Sequence, residues 1–178
     1  MNKLNKKPTV SVGIPAYNEE LNIKNLLVSV LWQKEDGFVL KEVIVISDGS
    51  KDRTVSEAAS LNDPRIAVID HKDRQGKVIR LNKLLRNYKG DTLVVLDADI
   101  LPKDRYFLKN LIAPILADKK VSMASCRGTF IKGDNFFEKV INFSMLMQDR
   151  IFSYLPPNNM YMCKGHAGVF SRKLTKKL

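Results

Sequence analysis

Two carboxylates close an apolar run in Val94-Val95-Leu96-Asp97-Ala98-Asp99. Spaced i and i+2 at a strand end, they offer hard oxygen ligands to magnesium or manganese, with positions left for phosphate oxygens. The same pair could instead solvate the strand end and cap a following helix, so its meaning depends on what converges with it. Two other polar stretches also end apolar runs, Pro15-Ala16-Tyr17-Asn18-Glu19 and Ser47-Asp48-Gly49-Ser50. A further loop, Lys72-Asp73-Arg74-Gln75-Gly76-Lys77, is basic. No Gly-x-Gly-x-x-Gly follows the first strand and no Gly-x-x-x-x-Gly-Lys-Ser/Thr occurs, which disfavours a dinucleotide fold or a P-loop. A phosphate site without such glycine cradles needs a metal or basic side chains, and Asp99 with the 72–77 loop supplies both.

These residues meet only if the elements that carry them are parallel strands. Thr9 to Pro15, Val43 to Ile46, Ile66 to Ile69 and Leu93 to Leu96 read as short buried strands. Between them lie helical patterns: Ile23, Leu26, Leu27, Val30 and Leu31; a segment from Asp52 to about Leu61; and Val78, Leu81, Leu85 and Tyr88. Asn18 and Asp52 are placed to cap the first two. Strand and helix alternating three times predict an α/β fold, a mostly parallel sheet with helices on both faces. In such sheets ligands sit beyond the carboxyl ends of the strands.

Downstream, Leu108, Leu111, Ile112, Ile115 and Leu116 predict a helix with Pro114 as a kink, and Val121 to Phe130 a strand. A long helix capped by Asp134 would present Phe136, Val140, Phe143, Met147, Ile151 and Tyr154 on one face. Strand-like pieces follow around Gly165 and Gly168. Residues 1–8 read as a flexible basic tail and 9–178 as one domain.

The 178 residues carry 44% hydrophobic and 28% charged side chains and a net charge of +11. The charge suits polyanionic partners: nucleic acid, an anionic membrane surface, or phosphorylated substrates. No apolar run reaches the roughly 18 residues of a membrane span, and residues 1–7 lack the apolar core of a secretory signal. Cys126 and Cys163 have no metal-ligand spacing and suit a reducing compartment.

Taken in order, Pro15-Ala16-Tyr17-Asn18-Glu19-Glu20, Asp48-Gly49-Ser50 with Asp52-Arg53-Thr54, Gly76-Lys77 with Leu81-Asn82, and Asp97-Ala98-Asp99 resemble the motifs of family 2 glycosyltransferases with a GT-A fold. The resemblance runs from about residue 9 to 102, with a weaker echo from Lys164 to Arg172. It extends to membrane-bound chitin, hyaluronan and cellulose synthase-like enzymes. It implies inverting transfer of a sugar from a nucleotide-sugar, usually a uridine diphosphate sugar, to a saccharide or lipid-linked acceptor. Pro15, Ala16, Tyr17 and Glu19 would then cradle base and ribose, and Asp48 would bond the base edge. Arg74 and Lys77 would face the nucleotide or its phosphates, Asp97 the ribose or metal, and Asp99 the magnesium or manganese ion. Ser47 stands where the family often has a second Asp. A cytoplasmic site at the inner face of the cell membrane is implied as well.

Each residue has a plainer role available. Tyr17 can pack at a strand end, Glu19 can complement a helix dipole, Asp48 can form a turn, and Arg74 and Lys77 can be solvated. His71 and His166 lack sequence partners and read as non-catalytic. No acid follows Asp149, so the catalytic base that the resemblance requires is expected beyond Leu178, with the donor site held here on a truncated domain. Exposed apolar surface on the 134–154 helix would favour self-association. The competing readings are a nucleic-acid-binding module, disfavoured because the basic residues lack interleaved stacking aromatics, and a metal-dependent nucleotidyltransferase, disfavoured because no phosphate loop follows the first strand.

Overall fold

The computed structural model describes residues 7–126 and 166–176, together with positions 136, 139, 140, 143, 144, 146, 147, 150 and 154. Contacts divide the chain into two compact units, Met1–Cys126 with Gly165–Leu178, and Arg127–Lys164.

The first unit is built on a six-stranded sheet. Its elements are β1 (Thr9–Ala16), α1 (Ile23–Leu31), β2 (Val39–Asp48), α2 (Thr54–Ala59), β3 (Ile66–His71), α3 (Lys77–Arg86), β4 (Thr92–Leu96), α4 (Phe107–Ala117), β5 (Met123–Ser125), β6 (Ala167–Ser171) and the one-turn α5 (Arg172–Thr175). The strand order is β3-β2-β1-β4-β6-β5. β1 pairs in parallel with β2 and β4, and β2 with β3, whereas β6 runs antiparallel to β4 and β5. The expected mostly parallel α/β sheet is present.

Alternate residues of each strand feed two cores, as the pleat requires. Val12 and Ile14 of β1, Val43 and Val45 of β2, and Val94 and Leu96 of β4 pack against α1, α2 and α4. Ile44 and Ile46 of β2 and Leu93 and Val95 of β4 pack on the other face, against Leu84, Leu85 and Tyr88 from α3 and the turn after it. β1 turns Gly13 toward α3, and a Cβ there would come within 2.9 Å of Leu84 Cδ2. Helices therefore cover both faces, and each βα connection emerges at the carboxyl edge.

β1 leaves toward β2 on one side while β4 pairs on its other side, so the sheet reverses its winding between β1 and β4. The β1–β4 ladder stops at Gly13 opposite Val95, two residues short of Pro15. Beyond that point the strand ends have no shared ladder, and a crevice opens between them.

Several local expectations change. Asn18 does not cap α1: it sits in the left-handed region at φ 54° and its Oδ1 accepts the Lys51 N–H at 2.9 Å. Val78 is 70% exposed; the rest of the expected stripe faces inward, with Leu85 and Tyr88 buried and Leu81 packed beside them, and Arg80 and Leu84 share that face. α4 continues through Pro114 to Ala117. The expected 121–130 strand is reduced to β5 among the described residues, and 127–130 lie outside them.

In the second unit, the described positions from 136 to 150 are helical. Phe136, Val140, Phe143 and Met147, the expected helix stripe, are all exposed, as are Leu146 and Tyr154. The expected cap Asp134, Ile151, Cys163 and Gly165 lie outside the described residues. Among the described residues no helix is long and apolar enough to cross a membrane.

Candidate functional site

At the crevice between β1 and β4 lies an open cleft of about 240 Å³. Pro15, Ala16, Tyr17, Glu19, Asp48, Arg74, Lys77, Asp97 and Asp99 line it, joined by Gly76 and Ala98. Every residue singled out from the sequence for the donor site is thus at one place.

The loops that carry them are tied to one another by side chains. The Asn18 N–H donates to Ser50 Oγ at 3.2 Å, the Glu19 N–H to Thr54 Oγ1 at 2.7 Å, and the Glu20 N–H to Asp52 Oδ2 at 3.0 Å. In return the Arg53 N–H donates to Glu20 Oε2 at 3.0 Å. Asp52 also accepts from the Thr54 N–H at 3.0 Å, so it supports the start of α2 while its second oxygen reaches the first loop. Burial pushes the Asp52 carboxyl up, but the Thr54 hydroxyl and these amides outweigh it and hold the group below its ordinary range.

Asp48 organises the basic loop. Its Oδ1 accepts the Gln75 N–H at 2.8 Å and Arg80 Nε at 2.6 Å, and its Oδ2 accepts the Gly76 N–H at 2.8 Å. Burial opposes the charge, yet these donors outweigh it and lower the carboxyl's pKa. Three of about four acceptor positions are taken, leaving one on Oδ2. Gly49 makes the approach of this loop possible. Its φ is +75°, and a Cβ there would stand 3.0 Å from both Arg74 N and Asp73 C.

Ser47, buried beneath the site, lies opposite Asp70 in the β2–β3 ladder. Lys72 is the largest influence holding the Asp70 carboxyl low, and the Ser47 hydroxyl adds to it. An Asp at position 47 would face Asp70 with like charge, which accounts physically for the hydroxyl here.

At the mouth, the Arg74 guanidinium stacks 3.9 Å from the Tyr17 ring centroid. On the other side, Lys77 Nζ is 2.5 Å from Asp97 Oδ1, and His166 Nδ1 is 3.5 Å from Asp97 Oδ2. The Asp97 N–H donates to the His166 carbonyl at 2.9 Å. Asp99 is exposed and no hydrogen bond or ion pair engages it among the described residues. A free carboxylate, with a second already holding a cation, is a donor set that fits a hard divalent ion. Among the described residues no group of three or more His, Cys, Asp or Glu could hold a metal by itself. An ion here would draw further oxygens from water or a bound phosphate, as magnesium sites do.

The sequence reading missed two residues. Arg80 lies where helical periodicity places a core position, four before Leu84, but its charge disguised it. His166 reaches Asp97 because β6 runs antiparallel beside β4, with Ala167 opposite Leu96. The same antiparallel course carries Arg172 to the opposite edge, where its Nε donates to the Gly90 carbonyl at 2.8 Å and its guanidinium covers Tyr88. The described part of the Lys164 to Arg172 motif echo, His166 to Arg172, is therefore split between the two ends of a strand.

The glycosyl transferase family 2 profile matches residues 11–178. The chain belongs to that family. An uncharacterized glycosyltransferase of Bacillus subtilis (strain 168) is 32% identical over 134 residues, covering 72% of this chain and 40% of that protein. Among solved structures, a mannosyltransferase from Pyrobaculum calidifontis in complex with GDP-Man and Mn2+ superposes with a TM-score of 0.67 at 28% identity, over 96% of this chain and 46% of that one. A glucosyl-3-phosphoglycerate synthase from Mycobacterium tuberculosis in complex with Mn2+, UDP and glucosyl-3-phosphoglycerate does so with a TM-score of 0.63 at 25% identity, over 94% and 58%. The family 2 chain thus spans between 40% and 58% of the length of these three proteins.

Proposed function

We propose that this chain carries the donor site of a glycosyltransferase that moves a sugar from a nucleoside diphosphate to an acceptor hydroxyl, with inversion at the anomeric carbon and dependence on a divalent ion. The observation that carries the reading is the meeting of a planar stack, Tyr17 with Arg74, and a carboxylate pair, Asp97 and Asp99, in one cleft at the point where the sheet reverses its winding. Such crevices are where open α/β sheets bind nucleotides.

Tyr17 and Arg74 offer two faces between which a base can insert, each stacking on its π-system. The vacant acceptor position on Asp48 Oδ2 suits a base with a ring N–H on its pairing edge, which uracil and guanine have and adenine and cytosine lack. That choice agrees with the UDP and GDP-Man bound by the two related structures. Lys77 and Arg74 would neutralise the diphosphate. Asp99, with Asp97, would hold magnesium or manganese, which as a Lewis acid would stabilise charge on the departing diphosphate.

All four cleft carboxylates have a task in this scheme. Glu19 accepts from Asn22 Nδ2 at 2.8 Å, Asp48 holds the loop, and Asp97 and Asp99 face the ion. The base that deprotonates the acceptor, an Asp or Glu by the family resemblance, is in this reading a carboxylate outside these four. A saccharide or lipid-linked hydroxyl is the acceptor class, and the net charge of +11 suits work at an anionic membrane surface.

Isothermal titration with UDP, GDP, ADP and CDP, with and without Mn2+, tests the reading. UDP or GDP should bind in preference to ADP and CDP, with Mn2+ tightening the complex and Asp99→Asn abolishing that gain. Absence of binding by all four nucleotides, or Mn2+-independent binding unchanged by Asp99→Asn, would overturn it.

A further inference from the structure

We propose that Lys77 is an internal counter-ion competing with the divalent ion for Asp97, and that a nucleoside diphosphate draws it away, so that metal and nucleotide bind cooperatively. The proposal rests on the donor-site reading above and adds to it the coupling between the two ligands.

Lys77 Nζ sits 2.5 Å from Asp97 Oδ1, with the lysine side chain 54% exposed and the aspartate 15%. The carboxylate is the fixed partner. Its own backbone N–H is bonded to His166, and its other oxygen faces the His166 ring. The ammonium is the mobile partner, a compact charge on a flexible stem at the first residue of α3. A metal ion arriving alone finds Asp99 available and Asp97 already neutralised. With no three-ligand cluster among the described residues, it is also short of the six or so oxygens a hard cation takes.

A diphosphate in the cleft changes both conditions together. Its oxygens complete the coordination of the ion. Its negative charge also gives Lys77, which lines the same cleft, a second partner and frees Asp97 Oδ1. The coupling is reciprocal by linkage: the factor by which nucleotide tightens metal equals that by which metal tightens nucleotide, about 5- to 150-fold for couplings of this kind.

Mn2+ titrations followed by electron paramagnetic resonance, on the chain alone and with saturating UDP or GDP, test this in the wild type, Lys77→Gln, Asp97→Asn and the double variant. Without nucleotide, Lys77→Gln should bind Mn2+ more tightly, by about two- to fivefold, the range in which a partly exposed ion pair is worth removing. Asp97→Asn should erase that gain. With nucleotide, the coupling factor of Lys77→Gln should fall below that of wild type, while its nucleotide affinity weakens. Equal or weaker Mn2+ binding by Lys77→Gln in the absence of nucleotide, or no measurable binding by either protein, overturns the proposal. Failure of both proteins to bind UDP or GDP counts against the donor-site reading instead, and the nucleotide-free comparison still decides the role of Lys77. Unfolding midpoints of the four proteins, expected to agree closely for the exposed Lys77 change, show that the readout concerns binding.

Discussion

Arg80 donates its Nε–H to Asp48 Oδ1 at 2.6 Å, with the arginine side chain fully buried and the aspartate 6% exposed. The same guanidinium reaches the Asp73 carbonyl and carboxylate and Gln75 Oε1. One helix residue thus holds both the end of β2 and the loop that presents Arg74 and Lys77. Removing one member of a buried ion pair leaves the other uncompensated, typically at about 3–5 kcal/mol. Arg80→Met should lower the unfolding free energy by about that amount, read from urea denaturation. Adding Asp48→Asn to it should cost less than the two single changes summed, because the stranded charge is gone. Nucleotide binding should weaken in each.

Gly49→Ala tests the loop from the other side. The substitution places an L-residue at φ +75° and sets its Cβ 3.0 Å from the backbone of residues 73 and 74. Left-handed strain costs about 1–3 kcal/mol. Gly37→Ala is the control, since φ there is +84° but no atom lies within 4 Å of the added Cβ. Both variants should lose stability in urea titrations, whereas only Gly49→Ala should also reduce nucleotide affinity, since it displaces the loop that stacks on Tyr17.

Much of this arrangement is legible in the chain because strand ends announce themselves. Val43–Ile46 and Val94–Leu96 are unbroken apolar runs that stop at polar residues, Ser47-Asp48 and Asp97, and a buried parallel strand can hardly be written otherwise. The hidden part is polar residues that are buried by pairing. β2 begins at Val39 although Lys41 and Glu42 interrupt the run, because Glu42 accepts from Ser11 Oγ at 2.8 Å and the Lys89 N–H at 2.6 Å. Arg80 escaped for the same reason: satisfied by Asp48, it joins the inward face of α3, which leaves Val78 outside. Asn18 has one side chain that serves equally a helix cap or a left-handed turn, and only the neighbouring Lys51 amide decides between them.

Burial lowers the His71 pKa below 6.5, with the charges of Arg80 and Lys83 adding to the effect. The unfolded chain therefore binds a proton there before the folded one does. His71 contributes stability that is complete above its unfolded pKa and lost as pH falls through that value toward the folded one. Nuclear magnetic resonance titration should place the imidazole below 6.5. In His71→Asn, the fall in stability as pH drops below 6.5 should be shallower, and in Lys83→Met the imidazole pKa should move back up.

Asp63 governs a lower window. The Arg65 guanidinium, bonded at 2.8 Å, and the Arg65 N–H bring the Asp63 carboxyl down from 3.8 to about 2, against the opposing effect of burial. A lowered acid stabilises the fold above its unfolded pKa, and the contribution disappears as pH drops from 3.8 to about 2. Carboxyl carbon titration should find Asp63 near the bottom of that window. Asp63→Asn should remove this part of the acid limb while leaving the His71 limb in place.

The stack of Arg74 on Tyr17 separates base recognition from metal recognition. At 3.9 Å the guanidinium covers the ring face that a base would need, so a nucleotide must either displace Arg74 or insert beneath it. Either route replaces the cation on the ring with a base whose stacking is worth about 1–3 kcal/mol. Tyr17→Ala should therefore weaken UDP binding by about 5- to 150-fold, the same energy expressed as affinity. Tyr17→Phe should bind nearly as wild type, since it keeps the π-face and loses only the hydroxyl. The Mn2+ affinity measured without nucleotide should be the same in all three proteins, because Tyr17 touches neither Asp97 nor Asp99. A Tyr17→Ala chain that bound UDP as well as wild type would show that the base lies elsewhere in the cleft.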